Sequence, residues 1–384
     1  MNPMIYYRVL QTDGEVFKSL RNYYDGILIE VPIIAQYPKF TVSLLSTIEK
    51  PFFIDPTHKL VSLTLDSEKD WTTKIMEAFK ISECLQEGEI AIEMLKENLD
   101  AFVKAAIDYQ KNKIKSFSGG LELFGISGYD LEPEVIITPY FLIDGIHSES
   151  FDLNLEILKK SIKLKDKSKL FATIALEEHL LPEVNQIISE FDLEKIDGFC
   201  VWVFDFWEDE KDVKMLEDYV KLFIELSKIR KPIVNLYGGA FSVLLSKLGL
   251  IDCVVQGVAY GEHRNPYISP TGAPKKRYYI PKIHKIVPWY RAQELIGACP
   301  ELKCECDFCI EADILNTPVN RVKTNLLKKH YVFNRWNEMQ RDFKDLYANL
   351  KSTIHLLDDQ FEGFWDQLKH LKNWEAVLDK IIVS

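Results

Sequence analysis

The chain has 384 residues, 47% hydrophobic and 27% charged, a globular composition long enough to bury one large core or two modest ones. A formal net charge of −11 argues against polyanion binding by the whole surface, because phosphates are drawn by local Lys and Arg density. The opening "MNPMIYYRVLQ" lacks the basic-then-apolar order of a secretory signal, and no segment reaches the roughly 18 consecutive apolar residues of a membrane span. A cytoplasmic protein without a membrane partner is the expectation.

Short apolar runs recur along the chain: "GILIEVP" (26–32), "PFFID" (51–55), "EVIITPYFLID" (134–144), "LFATIAL" (170–176), "IDGFCVWVFDF" (196–206), "KPIVNLYGG" (231–239), "DCVVQGVAY" (252–260) and "RYYIPKI" (277–283). Helical-period stretches such as "MLEDYVKLFIELSKIR" lie between them, and strand alternating with helix points to a parallel sheet. Eight such units predict a (β/α)8 TIM barrel over residues 1–298. A doubly wound sheet is the alternative, although "VPIIAQYPKF" after the first run carries no glycine for a dinucleotide turn. Beyond the barrel, a zinc-binding subdomain is read over 299–340 and C-terminal helices over 341–384.

The subdomain rests on cysteine spacing. Seven cysteines is an odd number in a long chain, so reduced thiols or a metal site are favoured over a disulfide scaffold. In "KCECDFC", Cys304, Cys306 and Cys309 crowd into six positions, and His330 follows twenty-one positions later in "LLKKHYVFNRW". Three thiolates and an imidazole suit a structural Zn2+ with no position left for a reacting water. Unpaired surface thiols and an unrelated histidine are the bland alternative.

This set at the end of an eight-stranded barrel resembles the tRNA-guanine transglycosylases, over roughly residues 26–340. By that resemblance "PFFIDPTHKLVSL" is similar to the family's strand with a catalytic Asp, placing a general base at Asp55, with Pro56-Thr57-His58 where the family has Ser-Gly-Gly. "GLIDCVV" looks like the Asp-Cys-Val run that bears the nucleophile, here Asp252. Of the family's Gly-Gly-Leu-Ala-Val-Gly-Glu base cradle only Glu208 is in register, and the position that reads the guanine edge falls on Thr138 or Pro139 unless Asp144 replaces it. Tyr237, before Gly238-Gly239, could stack on a flat base or be barrel core. Among the branches, the DNA-modifying members that insert a 7-deazaguanine look closest, and similar barrels occur in antiviral operons.

The implied chemistry is sound. Exchange at an N-glycosidic bond passes through an oxocarbenium-like state that one carboxylate can stabilise or trap at C1′, while a second takes the N9 proton of the incoming base. Both Asp55 and Asp252 are expected at the C-terminal mouth of the barrel, where such sites are built. Basic charge gathers in the last third: Lys275, Lys276, Arg277, Lys282, Lys285 and Arg291 share a stretch without an acid, as do the five basic residues from Arg321 to Arg335. These are candidate nucleic-acid contacts or a solvated face. Glu177, Glu178 and His179 offer a weaker second metal site, or an acidic helix start.

Three functions compete at this point. One is a transglycosylase exchanging guanine for a 7-deazaguanine such as preQ0 in DNA or tRNA. Another is a non-catalytic, zinc-stabilised subunit of the same fold that binds nucleic acid or an active homologue; the resemblance also implies a homodimer or a partner protein. The third is a glycosidase-like barrel that releases a base without exchange.

Overall fold

The computed structural model describes residues 3–57, 70–86, 88–118, 131–191, 193–258, 261–265, 276–360 and 365–383. Its central sheet has eight parallel strands: β1 (Met4–Arg8), β2 (Gly26–Glu30), β3 (Phe52–Asp55), β4 (Ile136–Ile137), β5 (Leu170–Leu176), β6 (Gly198–Val203), β7 (Ile233–Asn235) and β8 (Cys253–Gly257). Pairing is continuous from β4 through β5, β6, β7, β8, β1 and β2 to β3. The seam between β3 and β4 is crossed by the Glu134 N–H to the Phe52 carbonyl, 3.0 Å, and by the Tyr140 N–H to the Thr57 hydroxyl, 2.9 Å. The result is the predicted TIM barrel.

One expected strand is wrong. "RYYIPKI" is not a stave of the barrel; residues Arg277–Ile280 (β9) pair antiparallel with Lys285–Pro288 (β10) in a separate hairpin. The missing stave is β1, "MIYYR", which pairs with both β2 and β8. It is short and ends on a charge, so it lacks the long apolar run that marks the others.

Side chains alternate across every strand. One parity, with Tyr6, Leu28, Phe53, Cys200, Trp202, Val234 and Val255, fills the lumen. The other, with Ile5, Tyr7, Ile27, Ile29, Ile54 and Val254, packs outward against helices. Those helices include α1 (Pro38–Ile48), α2 (Leu99–Ser118), α3 (Glu149–Lys163), α4 (Val213–Ser227) and α5 (Ala240–Lys247). Ser148 and Asp212 cap α3 and α4 by accepting the N–H of Phe151 and Met215, which satisfies a donor that the first turn leaves open. Gly26, at lumen parity opposite Tyr6, has no room for a side chain, since a Cβ there would come within 2.4 Å of the Tyr6 ring.

The N-terminal foot of the barrel repeats one device three times. Asp25, Asp197 and Asp252 each precede a strand by one residue, and each takes the backbone N–H of a neighbouring chain start: Ile5 at 2.8 Å, Leu170 at 2.7 Å and Ile233 at 2.8 Å. In return each Asp N–H donates to the carbonyl of that same residue. Such closed pairs satisfy groups that the ladder cannot reach.

After β8 the chain builds a layer from the hairpin, a helix at Trp289–Ala298, the short α6 (Asp307–Ala312) and α7 (Thr324–Gln340), which packs on β9 and on β1. Helices α8 (Phe343–Gln360) and α9 (Trp365–Val383) then return to the barrel, where α9 lies along α4 and Trp374 donates its indole N–H to the Glu208 carbonyl, 3.0 Å. Among the described residues no helix is long and apolar enough to cross a membrane.

Candidate functional site

Arg8, Glu30 and Asp55 are the last residues of β1, β2 and β3 and share the parity of Tyr6, Leu28 and Phe53 beneath them. Three adjacent staves therefore deliver two acids and a base to the C-terminal mouth, with Glu30 level with Asp55 and Arg8 opposite Leu28 just below them. Arg8 donates to Glu30 at 3.0 Å, and Arg264 approaches the other Glu30 oxygen at 3.8 Å. The Asp55 carboxylate accepts the hydroxyls of Tyr140, 2.9 Å, and Tyr237, 2.8 Å. Tyr237 also reaches Glu30, at 3.4 Å, so one phenol bridges both acids. Burial lifts the Tyr140 and Tyr237 hydroxyls well above ordinary phenols, and the Asp55 charge adds to it, so both act as donors. Trp202 lies edge-on to both rings and fixes their planes. Asp55 is wholly shielded from solvent, 0% exposed.

Two irregular backbone positions hold this cluster. Tyr237 has φ 60°, in the left-handed region, which turns its ring back over the lumen. Gly238 follows it where a Cβ would meet Asn235 Nδ2 at 2.5 Å. Asp205, also left-handed at φ 45°, accepts the side-chain N–H groups of Trp207, His263 and Asn265. That latch, with the Asp205 N–H on the Arg264 carbonyl, carries residues 261–265 across the mouth and brings Arg264 to Glu30.

Beside the cluster Glu208 is buried against the start of α5, accepting the N–H of Gly239 at 2.9 Å and of Ser242 at 3.1 Å, together with the Ser242 hydroxyl. Burial pushes its carboxyl up to about 6 although these donors pull it down. Its geometry is that of a carboxylate on a helix start.

The sequence-assigned residues thus part company. Asp55, Tyr237 and Gly238 come together at the mouth, and Glu208 adjoins them. Asp252 does not: it lies at the foot, one residue before the Cys253–Met4 pair, whereas Asp55 is level with Glu30. Strand register separates the two levels by seven residues, on the order of 20 Å of strand. The expected pairing of Asp252 with Asp55 in one cavity is overturned. Asp144 is exposed and accepts the Ser150 hydroxyl at 2.7 Å, shaping the turn into α3. Glu177 and His179 stay adjacent at 3.2 Å while Glu178 turns away to Lys211, so the three do not gather as one set of ligands.

The basic stretches are largely engaged. Lys276 donates to the carbonyls of Val319, Asn320 and Val322, and Lys285 pairs with Asp209 at 3.0 Å. Arg291, Lys328 and Lys329 pair with Glu294, Asp13 and Glu15. Arg335 is fully buried between Glu262 and Glu338, Arg277 is partly buried beside Glu262 and His263, and Lys282 is exposed. Lys275 lies outside the described residues.

Cys304, Cys306, Cys309 and His330 do converge, their ligand atoms all within 4.8 Å of one another. The Cys306 and Cys309 sulfurs are 3.5 Å apart, and His330 Nδ1 is 3.3 and 3.1 Å from them. A tetrahedral ion with metal–sulfur bonds of about 2.3 Å sets an edge of roughly 3.8 Å, so the cage fits with little adjustment. His330 Nε2 donates to the Tyr279 carbonyl at 2.7 Å, which turns Nδ1 to the sulfurs, and Tyr278 stacks on the ring at 4.6 Å. The group could hold a metal ion.

No protein-family model and no curated protein matches the chain. Among solved structures, xylanase B from Clostridium stercorarium F9 is similar at 9% identity over 68% of this chain and 88% of that one, with a TM-score of 0.36. At that score the likeness has no bearing on the site.

Residues that the sequence did not single out are Arg8, Glu30, Tyr140, Asp205 and Arg264. Glu30 carried a usable signal, since it closes the apolar run "GILIE" as Asp55 closes "FFID".

Proposed function

We propose that the chain is a transglycosylase-like enzyme that exchanges a guanine for a 7-deazaguanine at an N-glycosidic bond in DNA or tRNA, with its chemistry at the barrel mouth. The observation that supports this reading most is the pair of acids on one phenol: Asp55 and Glu30 both reach the Tyr237 hydroxyl, close enough to address one sugar and its base. Glu30, charge-balanced by Arg8 and Arg264, takes the role toward C1′ that was expected of Asp252. Asp55 keeps the proton-accepting role toward N9 of the incoming base. Cys304, Cys306, Cys309 and His330 would hold a structural Zn2+, which supplies rigidity to the layer containing α7 and no reacting group.

The burial of Asp55, with its oxygens already taken by two phenols, favours a second reading, a non-catalytic zinc-stabilised subunit. Incubation with labelled guanine and separate DNA and tRNA pools decides between them. The expected result is label entering or leaving one polymer, lost by about 10²–10⁴-fold in Asp55→Asn and in Glu30→Gln, and kept in Asp252→Asn. Release of base without incorporation would mean a glycosidase. No turnover by folded, metal-loaded protein would leave the subunit reading.

A further inference from the structure

A cavity of about 430 Å³ opens between the turn after β9, the segment before Cys304, the end of α7 and the face of α8. It is within the size range of small-molecule sites. It lies outside the mouth cluster: Arg8, Glu30, Asp55 and Tyr237 do not line it.

Its charge is unlike the rest of this acidic chain. Lys282, Lys303 and Arg341 enter from three separate elements, all exposed, and none makes an ion pair with a described residue. Glu301 feels the charge of Lys282 without pairing to it. The one acid in the lining, Glu338, is already committed: it accepts Arg335 at 2.8 Å, His284 at 3.2 Å and the Tyr279 hydroxyl. Burial would raise its carboxyl, but Arg335 and His284 outweigh that and hold it at about 2. The Cys304 thiol forms part of the wall nearest the metal group. Three cations around one cavity, with the lining acid already engaged, give it a positive rim that attracts an anion.

The remaining lining is of two kinds. Leu302, Leu346 and Leu356 give an apolar wall, while Asn337, Asn349 and Thr353 offer amide and hydroxyl groups. A cationic rim, an apolar wall and hydrogen-bonding edges match the three parts of a nucleotide: phosphate, base face, and base or sugar edge. We infer that this cavity binds a mononucleotide unit, with its phosphate on Lys282, Lys303 and Arg341 and its base against the leucines. The unit is either a free nucleotide or one residue of a single strand, and the site stands apart from the mouth chemistry.

Titration calorimetry of the metal-loaded full chain tests this with four probes: inorganic phosphate, AMP, GMP and an oligo-dT octamer. The double variant Lys303→Glu/Arg341→Glu changes exposed side chains and should keep its melting temperature and metal content. A nucleotide or the octamer should bind the parent and bind the double variant at least about tenfold more weakly, whereas Asp55→Asn should bind as the parent does. Binding of AMP or GMP identifies the free nucleotide as the source; binding of the octamer alone identifies the strand. The inference is overturned if the parent binds neither, if inorganic phosphate binds as tightly as both nucleotides, or if Asp55→Asn loses as much binding as the double variant.

Discussion

Glu208 carries two opposing influences, a buried carboxyl and the donors at the start of α5. Its folded carboxyl titrates at about 6, against 4.5 as the ordinary value. Between those limits the folded chain holds the proton that the unfolded chain has released, so stability falls as pH rises through this window, by roughly 1–2 kcal/mol. Glu208→Gln stays neutral and should flatten that slope; denaturant midpoints at about pH 4 and pH 7 would show it, and an unchanged slope would place the titration elsewhere. Asp252 gives a different expectation. Asp252→Asn removes a charged acceptor from the Ile233 N–H and should cost about 1–3 kcal/mol by chemical denaturation, with any base exchange unaffected. Both roles bear on what the chain alone could tell. In a parallel barrel every strand points to the mouth, so an acid that precedes an apolar run, as in "IDCVV", belongs to the foot, and one that closes a run, as in "PFFID", belongs to the mouth. Asp55 was legible on that rule; Asp252 was assigned by likeness against it. Asp205 could not be read at all, because its part depends on a left-handed turn and on three donors from distant positions.

Helix α7 is where two regions meet. His330 faces the cysteines, the next residue Tyr331 donates to Gln256 at 3.0 Å and Glu262 at 2.6 Å, and Arg335 joins Glu262 to Glu338. One rigid rod thus ties the metal group to the end of β8 and to the segment that positions Arg264. Cys306→Ala should lose the metal and destabilise the layer containing α7 by several kcal/mol. Metal analysis is expected to find about one equivalent in the parent and almost none in the variant; less than half an equivalent in carefully purified parent would count against the site. Cysteine spacing made this group legible because thiol ligands must be close in sequence to lie in one turn. The path from it to the mouth was not, since periodicity marks α7 as a helix without saying what each face touches.

At the scale of the whole molecule, the acidic total and the basic last third suggested a phosphate-binding face. Packing uses most of that charge internally. Lys276 is a tether to three carbonyls, so Lys276→Ala should lower stability by about 1–2 kcal/mol and leave the salt dependence of nucleic-acid binding alone. Lys282→Ala should do the reverse, reducing the log–log salt slope by close to one unit with the melting temperature unchanged. Equal slopes for the two variants would return the stretch to a solvated face.

The three aspartate closures at the foot have one more consequence. A strand that slips by a single residue turns its whole lumen set outward, and each closure names the one partner amide that its strand start accepts. They act as index marks on a dial, on the order of 20 Å from the chemistry. The setting fixed at Asp25, which ties the start of β2 to Ile5 of β1, is read out as Arg8 beside Glu30 at the far end of the same two staves.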